Sequence, residues 1–321
     1  MESLKVNENI KNNVKYINFP LIIHETIENN VNTWHYEEME QIHKLRNRYL
    51  KVVDGKESLL RMIGESEISE QVYNSNAIEN STLSLDETEK ILMQIDLDRF
   101  INERELFEAK NLARVVEYIN RKALEKRIST DLMLFLHKML MSNIHDEIAG
   151  RFRNENEWVR VANYIAPNPK DIVDLVHAML VEYHVRDDLP MVKRIAKFHL
   201  TFEHIHPFVD GNGRIGRLLN NYLLIRDNYV PINIRFIDRS TYYQAFGEFD
   251  KKGSSKIMEK IVKHALCASY HKRLAYMEDK KIIKLAEFAK TSKYSHSNLL
   301  NKANRQSIEA FMEKGVWMIG V

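Results

Sequence analysis

His204–Asn221 reads HIHPFVDGNGRIGRLLNN, and the order of its residues dictates how the chain around it folds. Pro207 disfavours helical geometry at His206, so a helix arriving from the N-terminal side ends near Ile205. Asp210-Gly211-Asn212-Gly213 is turn chemistry. Ile215, Leu218, Leu219, Tyr222 and Leu223 then recur at helical spacing, which starts a second helix around Gly213. Two histidines, a carboxylate and two arginines crowd the junction. Packing alone gives no reason for side chains that are so costly to bury.

Working outward, the helical period continues on both sides. Pro190 opens the preceding helix, with Ile195, Phe198, Phe202 and Ile205 on one stripe. Leu106, Ala109, Leu112, Ala113, Val116 and Ile119 mark another helix. Leu132, Phe135, Leu136 and Met139 follow the Ser129/Thr130/Asp131 cap candidates. Asp171 is placed to cap a run through Ile172, Leu175, Met179 and Leu180. Ser84 with Glu87 forms a capping box ahead of Ile91 and Leu92. Only 10 Gly and 6 Pro interrupt 321 residues, which favours long helices with short connections. One segment differs: Trp158, Val159, Arg160 and Val161, followed by Ala162 and Asn163, predict a short strand or hairpin. The fold class is therefore all-α with a small β-hairpin.

The junction also suggests chemistry. A turn feeding a helix N-terminus presents free amides and a positive dipole end, which together make an anion site. Arg214 and Arg217 lie in that first turn, where cations oppose the dipole unless an anion joins them. Amides of Gly211, Asn212 and Gly213 with two guanidiniums suit a polyphosphate. Asp210 is placed to hold Mg²⁺ against it, and His206 to act as general base. A transition-metal set of His199, His204, His206 and Asp210 is the competing reading, although two adjacent arginines would repel a metal. No Lys-Ser/Thr follows the glycines, so a P-loop is excluded.

His206-Pro207-Phe208-Val209-Asp210-Gly211-Asn212-Gly213-Arg214-Ile215-Gly216-Arg217 resembles the full Fic signature, H-x-F-x-D/E-G-N-G-R-x-x-R. Gly150-Arg151-Phe152-Arg153 and the strand-like segment after it are similar to that family's flap. The resemblance implies a Fic-type helical bundle, and transfer of AMP from ATP to a Ser, Thr or Tyr hydroxyl of a protein target. By the same resemblance His206 takes the hydroxyl proton and Asp210 binds Mg²⁺. Gly211, Asn212 and Gly213 hold the α-phosphate, Arg214 the β-phosphate and Arg217 the γ-phosphate. Val159, Arg160 and Val161 would dock the target by strand addition. Ser75-Asn76-Ala77-Ile78-Glu79-Asn80 resembles the family's inhibitory helix, with Ser75 and Glu79 its marked positions. Glu79 would pair bidentately with Arg217 and occupy the γ-phosphate position. Transfer of another nucleotide or of phosphocholine, or removal of AMP, keeps the same fold and stays open. Tyr242 and Tyr243 are candidates to stack on the base.

Three regions are expected: an N-terminal helical region with the inhibitory helix (1–100), the Fic core (101–270), and a winged-helix-like segment (276–321). Residues 251–321 carry 15 Lys+Arg against 6 Asp+Glu, so this part is strongly basic while the rest is acidic. Such a tail suits nucleic acid or an acidic protein surface, which keeps a DNA-binding regulator open as a different class of function. A homodimer through the tail also stays open. The single Cys267 excludes an internal disulfide. Neither an apolar N-terminal leader nor a membrane-spanning run is evident, so a cytoplasmic protein is expected.

Overall fold

The computed structural model describes residues 33–97, 99–161 and 164–321; the N-terminal stretch, Ala162 and Asn163 lie outside the described residues. Five helices come first: α1 (Thr33–Val52), α2 (Glu57–Ile78), α3 (Leu85–Leu92), α4 (Glu103–Lys122) and α5 (Thr130–Met141). A two-stranded antiparallel hairpin follows, β1 (Arg160–Val161) with β2 (Tyr164–Ile165). Then come α6 (Ile172–Val185), α7 (Met191–Ile205), α8 (Asn212–Arg226), α9 (Arg239–Lys252) and α10 (Lys256–Met277). The chain ends in β3 (Ile282–Lys284), α11 (Leu285–Thr291), α12 (His296–Asn304), β4 (Ala310–Glu313) and β5 (Val316–Gly320). No described helix is long and apolar enough to cross a membrane.

Local sequence sets the helix starts. Ser84 and Glu87 exchange both bonds of a capping box, and Ser129 accepts from the Leu132 N–H. Asn102 caps α4 in the same way, through the Arg104 N–H. Asp171 does not cap α6. It sits in a 3₁₀ turn, Pro169–Asp171, whose cap is Asn168, because the proline pair around Asn168 starts the turn earlier. The hairpin strands are two residues each, and the extended run expected from Trp158 is confined to Arg160 and Val161. Beyond this ladder only Ala166 N–H to Val159 O is added, at 3.0 Å.

The centre of the molecule is the α7–α8 pair, and α7 also packs on α6 and α10 while α8 packs on α4 and α5. Both helices are buried nearly all round, inside the bundle. Ile195, Phe202, Ile205, Ile215 and Leu219 are completely inaccessible. Truncating any of them to Ala would cost about 2–5 kcal/mol and would loosen the loop they bracket. Buried apolar residues from Ile42 to Leu274 form one cluster, and Leu285, Leu299, Ala303, Ala310 and Ile319 form a second, smaller one. The small cluster lies under a three-stranded antiparallel sheet of order β3-β5-β4. Arg48 of α1 joins it to the bundle by ion pairs with Glu278 and Glu309.

Candidate active site

The loop between α7 and α8 is held from every side. His206 ends α7 in the left-handed region, at φ 48° and ψ 62°, a conformation that costs a non-glycine residue about 1–2 kcal/mol. Its N–H donates to Phe202 O at 2.9 Å, and its carbonyl accepts from Arg153 Nε at 2.9 Å. Asn212 Oδ1 accepts from the Phe208 N–H at 2.9 Å and its Nδ2 donates to Phe208 O at 2.8 Å, so its side chain is spent in clamping the loop. The Phe208 ring is fully buried and stacks on His137 at 3.8 Å. His137 accepts from the Gly150 N–H through Nδ1 at 3.0 Å, which leaves its Nε2–H to donate to Asp210 O at 3.0 Å. Gly211, at φ 82°, makes the turn, and a Cβ there would press on Met141 Sδ at 3.2 Å.

A neighbouring carbonyl fixes the tautomer of His206. Its Nδ1 faces Glu203 O at 3.2 Å, and a carbonyl only accepts, so Nδ1 carries the proton and Nε2 the lone pair. Burial pushes its pKa down to about 4, so the ring is neutral at physiological pH. kcat/KM reports the free enzyme and kcat the loaded one. A bound polyphosphate adds negative charge beside the ring, so the acid limb of kcat should lie at higher pH than that of kcat/KM. Coincident limbs in pH–rate profiles would contradict this.

Asp210 is ionised. Burial works against its charge, but Arg214, the Gly211 amide and Arg104 outweigh it and hold the carboxyl below its usual range. Oδ1 accepts from Arg214 Nη2 at 3.2 Å and Oδ2 from Arg104 Nη2 at 2.6 Å. Arg214 also reaches Glu108 at 3.0 Å, while its Nε finds no partner among the described residues. A hard cation fits this carboxylate, since Mg²⁺ takes one or two carboxylates and completes its shell with phosphates and water. The transition-metal set does not form. His199 bonds Tyr242 through Nε2 and His204 pairs with Asp250, and no group of three potential ligands exists among the described residues.

Arg214 and Arg217 share no partner: Arg214 pairs with Asp210 and Glu108, and Arg217 with Glu79. Arg217 is buried and donates from Nε to Ser75 Oγ (3.0 Å), from Nη1 to Tyr242 OH (3.2 Å), and from Nη2 to Ser75 O and Glu79 Oε1 (both 2.8 Å). The pairing with Glu79 is through one oxygen rather than bidentate, because Ser75 and Tyr242 take the other donors. Glu79 closes α2, and Asn80, at φ 71°, turns the chain away after it. A Cβ on Gly213 would lie 2.1 Å from Glu79 Oε1, so the carboxylate rests directly on the backbone of the first turn of α8. Tyr242 is buried against His199 and Arg217 and is unavailable for stacking; Tyr243 is 43% exposed.

Beneath this contact lies Glu203, whose Oε1 is buried and unpartnered among the described residues. Burial first, and then the charge of Glu79, push its pKa up to about 8. The folded chain therefore holds a proton that the unfolded chain releases between about pH 4.5 and 8, and stability falls as pH rises through that window. His137, His199 and His206 act oppositely: burial lowers them to about 4, 3 and 4, so stability falls as pH drops below about 6.5. Glu203→Gln should flatten the alkaline decline of Tm and leave the acid decline in place. A Tm–pH curve unchanged between pH 6 and 8.5 would remove Glu203 from this role.

The hairpin is wired to the loop by Arg153, which is buried and donates to His206 O and to Pro167 O, at 2.9 and 2.5 Å. Its own N–H donates to Pro207 O at 3.0 Å. Val159, Arg160 and Val161 thus sit on an arm anchored beside the base, with Trp158 and Ile165 exposed on it. Arg104, His137 and Glu203 were not singled out by the sequence, and Arg153 entered only within the flap-like stretch Gly150–Arg153, without a role. The partners of Arg104, His137, Arg153 and Glu203 lie 106, 73, 53 and 3 positions away.

Residues 127–224 match the model of the Fic/DOC family. The chain is similar to a protein adenylyltransferase Fic of Nematostella vectensis, 30% identical over 215 residues, covering 65% of this chain and 49% of that protein. Its likeness to a protein of the same name from Drosophila erecta is 33% over 219 residues, covering 63% and 43%. The chain thus spans about half the length of these relatives or less. Among solved structures, a Fic-domain signalling protein from Bacteroides thetaiotaomicron superimposes with a TM-score of 0.67 at 22% identity, covering 75% of this chain and 98% of the other. Fic-1 from C. elegans gives 0.66 at 24%, covering 76% and 72%. These likenesses show the helical fold.

Proposed function

We propose, from the Fic/DOC-family domain that this chain carries at residues 127–224, that the protein transfers AMP from ATP to a hydroxyl of a protein target and is held inactive by Glu79. The observation that carries the reading is the free Nε2 of a neutral His206, beside a helix N-terminus whose two arginines are neutralised only by carboxylates. In the reaction the target oxygen bonds to the α-phosphorus, the bond from that phosphorus to the β-phosphate oxygen breaks, and pyrophosphate leaves. The hydroxyl proton passes to His206 Nε2. Amides of Asn212 and Gly213 would face the charge that develops on the α-phosphate, and the Gly211 amide would join them on leaving Asp210 Oδ1.

Arg214 and Arg217 exchange their carboxylate partners for the β- and γ-phosphates. Asp210 would hold Mg²⁺, which would neutralise phosphate charge; Arg104 must first release Oδ2. Ser75 would keep Arg217 oriented once Glu79 has left, since it accepts from both Nε and Nη2. Incubation of the Glu79→Gly protein with ATP, UTP and CDP-choline separately, followed by mass spectrometry of lysate proteins, tests the donor. AMP adducts in the ATP sample support the reading. Adducts only with another donor would replace AMP transfer by that transfer on the same fold.

The arm bearing Val159, Arg160 and Val161 would dock the target by adding a strand to β1, a mode that uses main-chain groups for affinity. Val161→Pro removes a backbone donor and should weaken modification of every target together. Side-chain changes at Val159 should instead alter which targets are modified. Unchanged modification by the proline variant would place docking elsewhere.

A further inference from the structure

The C-terminal unit runs α10–β3–α11–α12–β4–β5 with strand order β3-β5-β4, so α11 and α12 form a helix-turn-helix on one side of a small antiparallel sheet. Leu299 and Ala303 turn one side of α12 into the small core. The other side exposes His296, Ser297, Asn298, Asn301, Asn304 and Arg305. These residue types offer hydrogen bonds and little apolar surface. Asn pairs with adenine and Arg with guanine at base edges in a major groove. Ser295 caps the helix through the Asn298 N–H, fixing its start.

The surroundings are cationic. Residues 284–305 carry Lys284, Lys290, Lys293, Lys302 and Arg305 against the single acidic Glu287. Among the described residues none of those five cations is in an ion pair. Cations that pack between this unit and the bundle are neutralised instead, as Lys272, Arg273 and Lys280 are by Glu67, Glu313 and Glu309. The β4–β5 turn is not free: the Lys314 N–H donates to Glu70 Oε1 at 2.6 Å and its ammonium pairs with Glu89 at 3.0 Å. That docking fixes the unit against α2 and α3 and leaves α12 as its outward element.

We propose that α12 binds the major groove of duplex DNA, with Lys293 and Arg305 on the phosphates and Asn298 and Asn301 on the base edges. A second helix presented by a helix-turn-helix is the element that enters the groove in this mode. Phosphate contacts set affinity and register, while base contacts set specificity. Two such phosphate contacts give a slope of log affinity on log salt of roughly −2.

The test uses the full chain, fluorescence anisotropy with random-sequence duplex DNA over a salt series, and a duplex enriched from that pool. Lys293→Ala and Arg305→Ala should each reduce the salt slope by about 1 and weaken all duplexes alike. Asn298→Ala with Asn301→Ala should lower the preference for the enriched duplex about tenfold and leave random-duplex binding in place. Circular dichroism confirms that these surface variants fold. Absence of duplex binding at low salt overturns the proposal. So does binding that these variants leave unchanged, or equal binding of duplex RNA and an acidic peptide, which would mark a general anion surface.

Discussion

Glu79→Gly should raise transfer of AMP by tenfold or more, including onto the protein itself. The carboxylate rests on the backbone of Gly213 and holds Arg217, so a γ-phosphate cannot take that guanidinium while Glu79 is in place. The contact is one charge-assisted hydrogen bond, and Glu79 is 34% exposed, so breaking it costs about 1 kcal/mol of stability rather than the several of a fully buried pair. Displacing that contact of about 1 kcal/mol before ATP can bind corresponds to about fivefold in affinity, and clearing the carboxylate from the γ-phosphate position supplies the rest of the gain. Glycine is also tolerated where a helix ends, so α2 should persist. Activity should rise while Tm falls slightly, an uncommon combination for a surface change. Arg217→Ala should not reproduce it, because it deletes the γ-phosphate contact along with the Glu79 partner. Equal initial rates for wild type and Glu79→Gly, measured with labelled ATP, would return Glu79 to a helix-end residue.

His206→Ala, made in the Glu79→Gly background, should reduce transfer by about a hundredfold to ten-thousandfold, the usual range for loss of a general base. Nucleotide binding should survive, because the groups offered to the phosphates are Asp210, the first-turn amides of α8, Arg214 and Arg217. Loss of kcat with an ATP dissociation constant close to that of the parent is the expected pattern. His206 lies at a left-handed position, and Ala is as strained there as His, so the loop's other clamps should hold its shape. Asn212 and Arg153 make those clamps without using the imidazole. Near-parental transfer by the variant would move the base to another residue. Joint loss of transfer and ATP binding would mean that His206 is part of the loop's scaffold.

The junction of α7 and α8 was legible because proline and glycine act locally. Pro207 stops one helix at Ile205, and Gly211 turns the chain into the next at Asn212, one residue before the expected start. The buried stripe from Ile215 to Leu223 followed from period alone. The pairing of Glu79 with Arg217 was legible only through a resemblance, since 138 positions separate them. Its geometry was not, because nothing in the sequence says that Ser75 takes two of the Arg217 donors. Asp171 illustrates a different limit. Asp171 was the cap expected ahead of one apolar run, and the prolines around Asn168 moved the cap to Asn168. The hairpin was shorter than its composition suggested because only Arg160 and Val161 find ladder partners. Arg104 and His137 carry no local mark, and the flap-like stretch that contains Arg153 does not say what its side chain bonds. Each acts on a backbone or carboxylate brought near by tertiary packing, and each looks in sequence like an ordinary polar residue of a helix or loop.

The central claim is that the bond to the α-phosphorus is the one made, with pyrophosphate leaving. ATP labelled on the α-phosphate and ATP labelled on the γ-phosphate, each incubated with the Glu79→Gly protein and Mg²⁺, decide it directly. Protein-bound label is expected from the α-labelled nucleotide, none from the γ-labelled one, and none from either when His206 is replaced by Ala. Label entering protein from the γ-phosphate, or none from the α-phosphate, would contradict it.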